Sequence, residues 1–498
     1  MTQISVGNGW YEDYSLTVSS QQCSNWWPSV VETQGLTQVS LRPTPGSVPV
    51  IDTGDSEFGR GLIEFKDKMY VVQNTTLYLI DRTLSEAGEP IFSSTALGTI
   101  EGTSRVFMAK NGAGLAQICI VVPGQFLYIY DEENGVQDIG SIFLDAYDGL
   151  VGLTLPNAVV YLDSYFVFTN SRYIFASNVN DGTSYNGLSF GSAEMDPDKI
   201  VVPFVYRNQL YVFGTEVTEV YDNVGASPFP FLRNDGYVID KGTKSPFAIL
   251  ECEESFFFVG ASRDELAAVW RIEGDSPVKV STPPIDRLLE ALTPEQLTEV
   301  FLNSVGTEGS CFSVISMPDR TLGYDALASK LQGGNIWHEH TSFTHGSPSA
   351  WCVSHVLKVY DDLYTLQQFN GKIGRLSLDE FEEFGSPILR VFSSPTVFAD
   401  GDPIYVDEIE VTIESGTSPL GEDLLLTLST SQDGGKTWGN QRPRNIGTQG
   451  DTRQRLVWRR FGRFNRMFNF RLQFSGNAKL VIARVDVAFG GGLGVTDA

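Results

Sequence analysis

The chain has 498 residues, 42% hydrophobic and 12% aromatic, with 49 glycines, 23 prolines and a net charge of −26. That content suits several packed cores, and the acidity excludes a protein that coats nucleic acid. No apolar run reaches the roughly 18–20 residues a membrane-spanning helix needs, and five scattered cysteines do not make a disulfide framework.

In chain order, the opening MTQISVGNGWYEDYS has no basic n-region and no apolar h-region, so synthesis and folding in a cytoplasm are expected. Residues 1–55 read as an irregular arm, with turn chemistry at Pro43, Pro45-Gly46 and Pro49. Trp26 and Trp27 stand in that arm before Pro28. Large aromatics in such a segment dock it onto a folded body. The two tryptophans are therefore candidates for an interface with the chain's own propeller or with a neighbouring subunit.

Residues 56–385 carry a repeat. Aromatic or β-branched runs flank short polar turns around Tyr70, Ile120, Phe166, Tyr211 and Phe257, with fainter copies around Val314 and Tyr364. The spacing stays near 45–50 residues, apart from one longer step between Phe257 and Val314. Each unit is a hairpin, and a period of about 40–50 residues is that of propeller blades. A closed ring of blades buries faces that one blade leaves open. The expected architecture is an all-β propeller of about seven blades. A helical insertion near 285–302 explains the longer step. Its second half starts at Thr293-Pro294-Glu295-Gln296, with Thr293 as cap and Gln296 at the capping-box position.

Residues 386–498 change texture. PIYVDEIEVTIES, DLLLTLSTS, RLVWRRFG, FNFRLQFSG and KLVIARVDVAF alternate as short strands, which predicts a β-sandwich of about 110 residues. The tail GGGLGVTDA is expected to fray. Between Gln441 and Arg471 lie nine arginines and one acid, Asp451. This stretch carries +8, which leaves −34 on the remainder. Arg453, Arg455, Arg459, Arg460, Arg463 and Arg466 are candidates for a charged contact with acidic neighbours, including copies of the chain. Phosphate-backbone binding and a solvated face are the alternatives. Arg453 and Arg455 are expected on one strand face, Arg459 and Arg460 on opposite faces.

Two other motifs invite chemistry. Ser431-Gln432-Asp433-Gly434-Gly435-Lys436-Thr437-Trp438 fits an Asp box, a turn device that sialidases carry in several copies. Here one copy stands outside the repeats, which favours a structural hairpin. All four histidines lie between His338 and His355; His338 and His340 could share a metal on one strand face. A solvated outer blade strand is the expected reading. No nucleophile elbow, Walker loop or zincin motif occurs. The sequence thus predicts no catalytic, metal or cofactor site, with a glycan-binding or sialidase-like propeller as the alternative.

Motifs spread over the chain resemble one family. They are Gln22-Cys23-Ser24-Asn25-Trp26-Trp27-Pro28, Leu41-Arg42-Pro43-Thr44-Pro45-Gly46, Gly59-Arg60-Gly61 and Lys68 to Val72. Further along come Ala193 to Asp198, Leu210 to Tyr221, Ile285 to Gln296 and Leu456 to Arg463. In this order they resemble the packaged-DNA stabilisation proteins, or tail hub and nozzle proteins, of short-tailed bacteriophages. The resemblance implies a homohexamer in the virion tail, below the head-to-tail connector. It implies a subunit that extends or seals the DNA channel and anchors fibres, spikes or a needle. It also implies that DNA passes through the lumen without specific binding, and that the protein is not an enzyme.

Overall fold

Apolar runs joined by two-residue turns form hairpins whose twist demands positive φ at both turn residues. Five such turns recur at one place in the repeat, between its first and second strands. They are Lys66-Asp67 (51° and 57°), Asp163-Ser164 (47° and 74°), Arg207-Asn208 (47° and 64°), Glu253-Glu254 (52° and 56°) and Tyr360-Asp361 (52° and 66°). None contains glycine, so the flanking ladders hold these residues where they would not rest alone. The structure is a computed structural model; it describes every residue except 32–34, 56–57, 113–114, 193–197, 308–309, 345, 401, 452 and 491–498. The motif at 193–197, His345 and most of the glycine-rich tail lie outside the described residues.

The repeats build seven antiparallel blades. Five are separate four-stranded sheets within residues 59–99, 107–138, 158–192, 200–239 and 249–279. The sixth comprises Phe301–Thr307, Ser310–Ser316, Thr321–Asp325 and Trp337–Thr344. The seventh has three strands of its own, Val353–Val359, Asp362–Gln367 and Lys372–Ser377; its fourth is Gly46–Asp52. The strand Val353–Val359 packs beside Gly59–Phe65 of the first blade, which closes the ring. A closed ring leaves no blade face uncovered. Gly46 starts the closing strand where a Cβ would run into the carbonyls of Glu380 and Glu382.

The insertion forms two helices, Pro283–Glu290 and Pro294–Glu299, and Thr293 caps the second through the expected box with Gln296. Two further helices, Gly140–Ala146 and Ala326–Gln332, had no clear periodic signal because each is only seven residues long.

The irregular arm is where expectation and structure part. Residues 1–52 contribute strands to both bodies. Trp26–Val30 and Val39–Pro43 extend the sandwich sheet of Leu456–Phe464, Ile404–Ile413 and Ile482–Gly490, and Thr2–Ile4 pairs with Ile482–Gly490. The second sandwich sheet runs Arg442–Asn445, Leu425–Ser431, Met467–Ser475, Leu389–Ser393. The short strand Cys23–Ser24 then joins it to the sixth blade, pairing with Val391 and Phe392 on one side and Glu339 on the other. One sheet therefore runs from propeller into sandwich. One core follows it, from Phe257, Ile315 and Trp337 through Cys23, Trp26 and Leu41 to Trp458, Phe470 and Val485. These strands were hidden because their partners lie hundreds of residues away and Pro28, Pro43, Pro45 and Pro49 read as breakers.

Candidate assembly surface

A toroidal subunit offers two places for function, its axis and its outer surfaces. The axis is filled. Arg105, which leads into the second blade, donates to Ser354 O of the seventh (2.6 Å). Its guanidinium lies over Phe301 of the sixth blade (4.0 Å) and Phe247 of the fifth (5.5 Å). Phe107 stacks on Phe247 at 4.3 Å. Side chains from or beside the second, fifth and sixth blades and a backbone carbonyl of the seventh thus meet across the ring. Burial lowers the Arg105 pKa to about 9. The sequence signalled each of these residues only as a strand-end aromatic or cation. Their convergence depends on ring closure.

The arginine-rich segment lies along one edge of the sandwich. Leu456, Trp458 and Phe464 of Leu456–Phe464 point into the core. The strand starts after Arg455, so Arg453 and Arg455 precede it and do not share a strand face as expected. Arg460 takes φ 64° in an irregular step opposite Asp407, and both Arg459 and Arg460 are exposed. A bulge of this kind breaks the strict alternation on which opposite faces depend.

The arginines then separate by partner. Arg455 makes a bidentate pair with Glu410, 2.7 Å on each arm, and Arg459 pairs with Glu408. The Arg455 guanidinium holds the Glu410 carboxyl below the usual range. Arg442 stacks on Phe461 (4.5 Å), and Arg471 on Trp438 (4.5 Å). Arg453, Arg460, Arg463 and Arg466 are exposed, and their side chains have no carboxylate partner among the described residues. Arg463 and Arg466 fall at one corner of the sandwich, where the chain crosses between sheets, and Arg460 lies at the bulge in the middle of the same strand. Two exposed aromatics flank that corner: Tyr405, the register partner of Arg463, and Phe398, the partner of Met467. Cations beside exposed aromatic rings are the composition of a protein contact. The sequence held a signal for Tyr405. In PIYVDEIEV, Ile404 and Val406 take the inward positions, which turns Tyr405 outward.

Trp26 and Trp27, the other interface candidates, are 0% and 2% exposed. They hold an interface inside the chain and offer no surface to a neighbour. Trp26 donates from Nε1 to Leu480 O (3.1 Å), and Trp27 meets Phe312 edge-on at 5.1 Å. Around them, Arg320 binds Glu12 (3.0 Å) and Glu339 (3.4 Å), and Ser24 donates to Glu339. Burial raises the Glu339 pKa, and Arg320 partly offsets this.

The histidines correct a second expectation. His338 and His340 are buried in the sixth blade, not solvated, with their Nε2 atoms 2.9 Å apart. One ring donates to the other, which requires the accepting ring to be neutral. Burial pushes the His340 pKa down to about 4, and burial with the neighbouring His340 holds His338 well below the usual imidazole range. Among the described residues no three His, Cys, Asp or Glu side chains could hold a metal ion. The Asp box is a hairpin device in the sandwich. Asp433 Oδ1 accepts from Ser431 Oγ (2.7 Å) and Thr437 N (2.9 Å), and Gly434 and Gly435 take φ of 74° and 85°. Burial works against ionisation of Asp433, but the Thr437 and Ser431 hydrogen bonds hold its pKa at about 2.

Comparison with known proteins adds the following. A family model described as bacteriophage P22 Gp10, beta-propeller, matches residues 2–380, and one described as bacteriophage P22 Gp10, beta-sandwich, matches 389–490. The tail hub protein gp10 of Salmonella phage P22 is 21% identical over 299 residues, which is 56% of this chain and 58% of that protein. The match thus spans under two thirds of the relative's length. Among solved structures, the WD40 β-propeller domain of Doa1 aligns with TM-score 0.38 and 10% identity, over 67% of this chain and 97% of that one. BamB from Moraxella catarrhalis aligns with TM-score 0.35 and 12% identity, over 66% and 99%.

Proposed function

Because the chain belongs to the bacteriophage P22 Gp10 family, we propose that it is a structural tail-hub subunit of a short-tailed phage virion. The observation that carries this reading is the pair of family matches, which together take in both bodies. In the virion tail the subunit forms a homohexamer below the head-to-tail connector. It extends or seals the DNA channel and anchors a fibre, spike or needle protein. Its role is mechanical rather than catalytic.

The cross-ring contacts of Arg105 and Phe107 support a DNA path that runs between subunits, not through a propeller. The acidic remainder of each chain then faces DNA without gripping it. The sandwich corner of Arg463 and Arg466, with Arg460 farther back along the same strand, meets carboxylates of the next copy or of the connector, and Arg453 adds a contact at the other end of the strand. Exposed guanidiniums set orientation and association rate more than affinity.

Negative-stain imaging with sedimentation of the purified protein tests this reading. The expected particle is a six-fold ring with an open centre. A monomer at every concentration, or a ring of another order, overturns it. Turnover of a sialoside or polysaccharide, abolished by one carboxylate substitution, would show that the role is not purely mechanical.

A further inference from the structure

Where one sheet runs from propeller into sandwich, four strands bring a row of side chains into line. Register sets Glu339 beside Ser24, Ser24 beside Val391, and Val391 beside Gln473. Directly opposed residues share a sheet face, and all four line one cleft of about 310 Å³. Leu389 and Arg471 stand two residues along their strands from Val391 and Gln473, so strand alternation brings them to the same cleft. Its floor thus spans both bodies, and the assembly role does not use it.

The two ends of the cleft differ in how their charges are met. At the propeller end, Arg320 is committed to Glu12 (3.0 Å) and to Glu339 Oε1 (3.4 Å), and Ser24 donates to Glu339 Oε2. At the sandwich end, the Arg471 side chain has neither a carboxylate nor a hydrogen-bond partner among the described residues. Its guanidinium rests on Trp438 (4.5 Å), and its Nε is buried without an acceptor. Trp438 is held in turn by the Asp box that it closes. Ser20 Oγ donates to Gly434 O (2.8 Å), and a Cβ on Gly435 would run into Ser20 and touch the Trp438 ring. The Asp box therefore positions a ring, and the ring positions a cation. Beside it, Gln473 Oε1 accepts from Gln441 Nε2 (3.0 Å), which leaves the Gln473 amide N–H groups for a ligand.

We propose that this cleft binds a carboxylate, presented as a glutamate side chain by a loop of a partner protein. Arg471 is the binding cation and Gln473 the second donor. Leu389 and Val391 supply apolar surface for the glutamate methylenes. A cleft this size lies at the small end of ligand pockets, which suits one or two side chains and not a folded segment. A guanidinium already stacked on an aromatic ring loses little freedom when it pairs, and a charge-assisted contact in a half-buried cleft outweighs one on an open corner. Burial lowers the Arg471 pKa, in keeping with a cation that lacks its counter-ion. That the partner is a neighbouring virion protein rests on the tail reading; the carboxylate chemistry does not.

The test is saturation-transfer NMR on the full chain with N-acetyl-glutamate N-methylamide, against the glutamine analogue of the same shape. Transfer to the glutamate methylenes is expected, with none to the glutamine analogue. Arg471→Met should weaken binding about tenfold or more, the loss of one charge-assisted contact. Gln473→Leu should weaken it less, and Arg463→Met should leave it unchanged. Equal transfer to both probes, an equal loss in Arg463→Met, or no transfer would each overturn the proposal. So would a methyl sialoside that displaces the glutamate probe at lower concentration, since the carboxylate would then belong to a glycan. Should Arg471→Met misfold by circular dichroism, Gln473→Leu and the neutral probe decide. None of these readouts needs assembly, so failure of the cleft and failure of the six-fold ring are told apart.

Discussion

The propeller ring and the N-terminal weld are built from the same kinds of strand by opposite means. A blade pairs neighbours in sequence through two-residue turns, so each hairpin is local. The weld pairs Ser24 with Glu339 and Val391, Trp26 with Pro43 and Lys372 with Asp52. Local pairing makes a repeat that any segment of the chain announces. Distant pairing makes two bodies into one, because Cys23–Ser24 belongs to the sheets of both.

The strongest way to break that contrast is Trp26→Ala. The side chain is fully buried in the shared core, so its loss should cost about 3–5 kcal/mol. Urea unfolding should show the sandwich and the sixth blade destabilised together. A cost below about 1 kcal/mol would mean that the weld is not supporting the core. Next in size is Arg60→Met, which probes the ring. Arg60 is 1% exposed and donates to the carbonyls of Ser104 (2.7 Å), Asn74 (2.7 Å), Ile100 (2.8 Å) and Glu101 (3.0 Å). Removing the donors leaves buried acceptors unsatisfied, at roughly 3 kcal/mol. Hydrogen exchange should then rise around the first blade and leave the sandwich amides unchanged.

The fold was legible where pairing is local and hidden where it is not. The turns at Asp163-Ser164 and Glu253-Glu254 stand between runs whose alternation survives in the structure, so blade hairpins could be read directly. Nothing near Gly46–Asp52 names Lys372–Ser377 as its partner. Nothing around Trp26 and Trp27 tells an internal contact from an external one, since burial depends on a sandwich that begins some 350 residues later. The arginine segment was visible as charge. Its division into paired Arg455 and Arg459 and unpaired Arg460, Arg463 and Arg466 was not, because Glu408 and Glu410 reach those arginines only through the register with Ile404–Ile413. The buried histidines eluded the sequence for a related reason. In NIWHEHTS the alternation places His338 and His340 on one face, but only the packing of Phe312 and Trp351 makes that face an interior.

A smaller effect sharpens the division among the arginines. Arg463→Glu should leave monomer stability within about 1 kcal/mol, because an exposed charge contributes little to folding. It should nonetheless weaken self-association in sedimentation. Arg455→Glu removes an internal ion pair and sets a carboxylate against Glu410, so the monomer melts earlier and assembly is affected less directly. Equal effects of the two variants on assembly would remove the distinction.

A further effect is a pH dependence beside the weld. Asp325 accepts from Ala328 N (2.9 Å) at the start of Ala326–Gln332. Burial, with the Glu253 carboxylate, raises its pKa from 3.8 to about 6. The folded state therefore holds this proton longer than the unfolded state. The stabilisation is full below 3.8 and is lost as pH rises through about 6. Asp325→Asn keeps the capping acceptor and removes the titration. Subtracting variant from wild type should give a stability difference that falls across that window and is flat above it; a flat difference throughout would refute the assignment.

Calorimetry of the wild-type monomer tests the weld most directly. With propeller and sandwich as one body, heating should give a single endotherm, with tryptophan fluorescence and far-UV ellipticity changing together and calorimetric and van't Hoff enthalpies in agreement. Two resolved transitions, the sandwich melting apart from the ring, would contradict it.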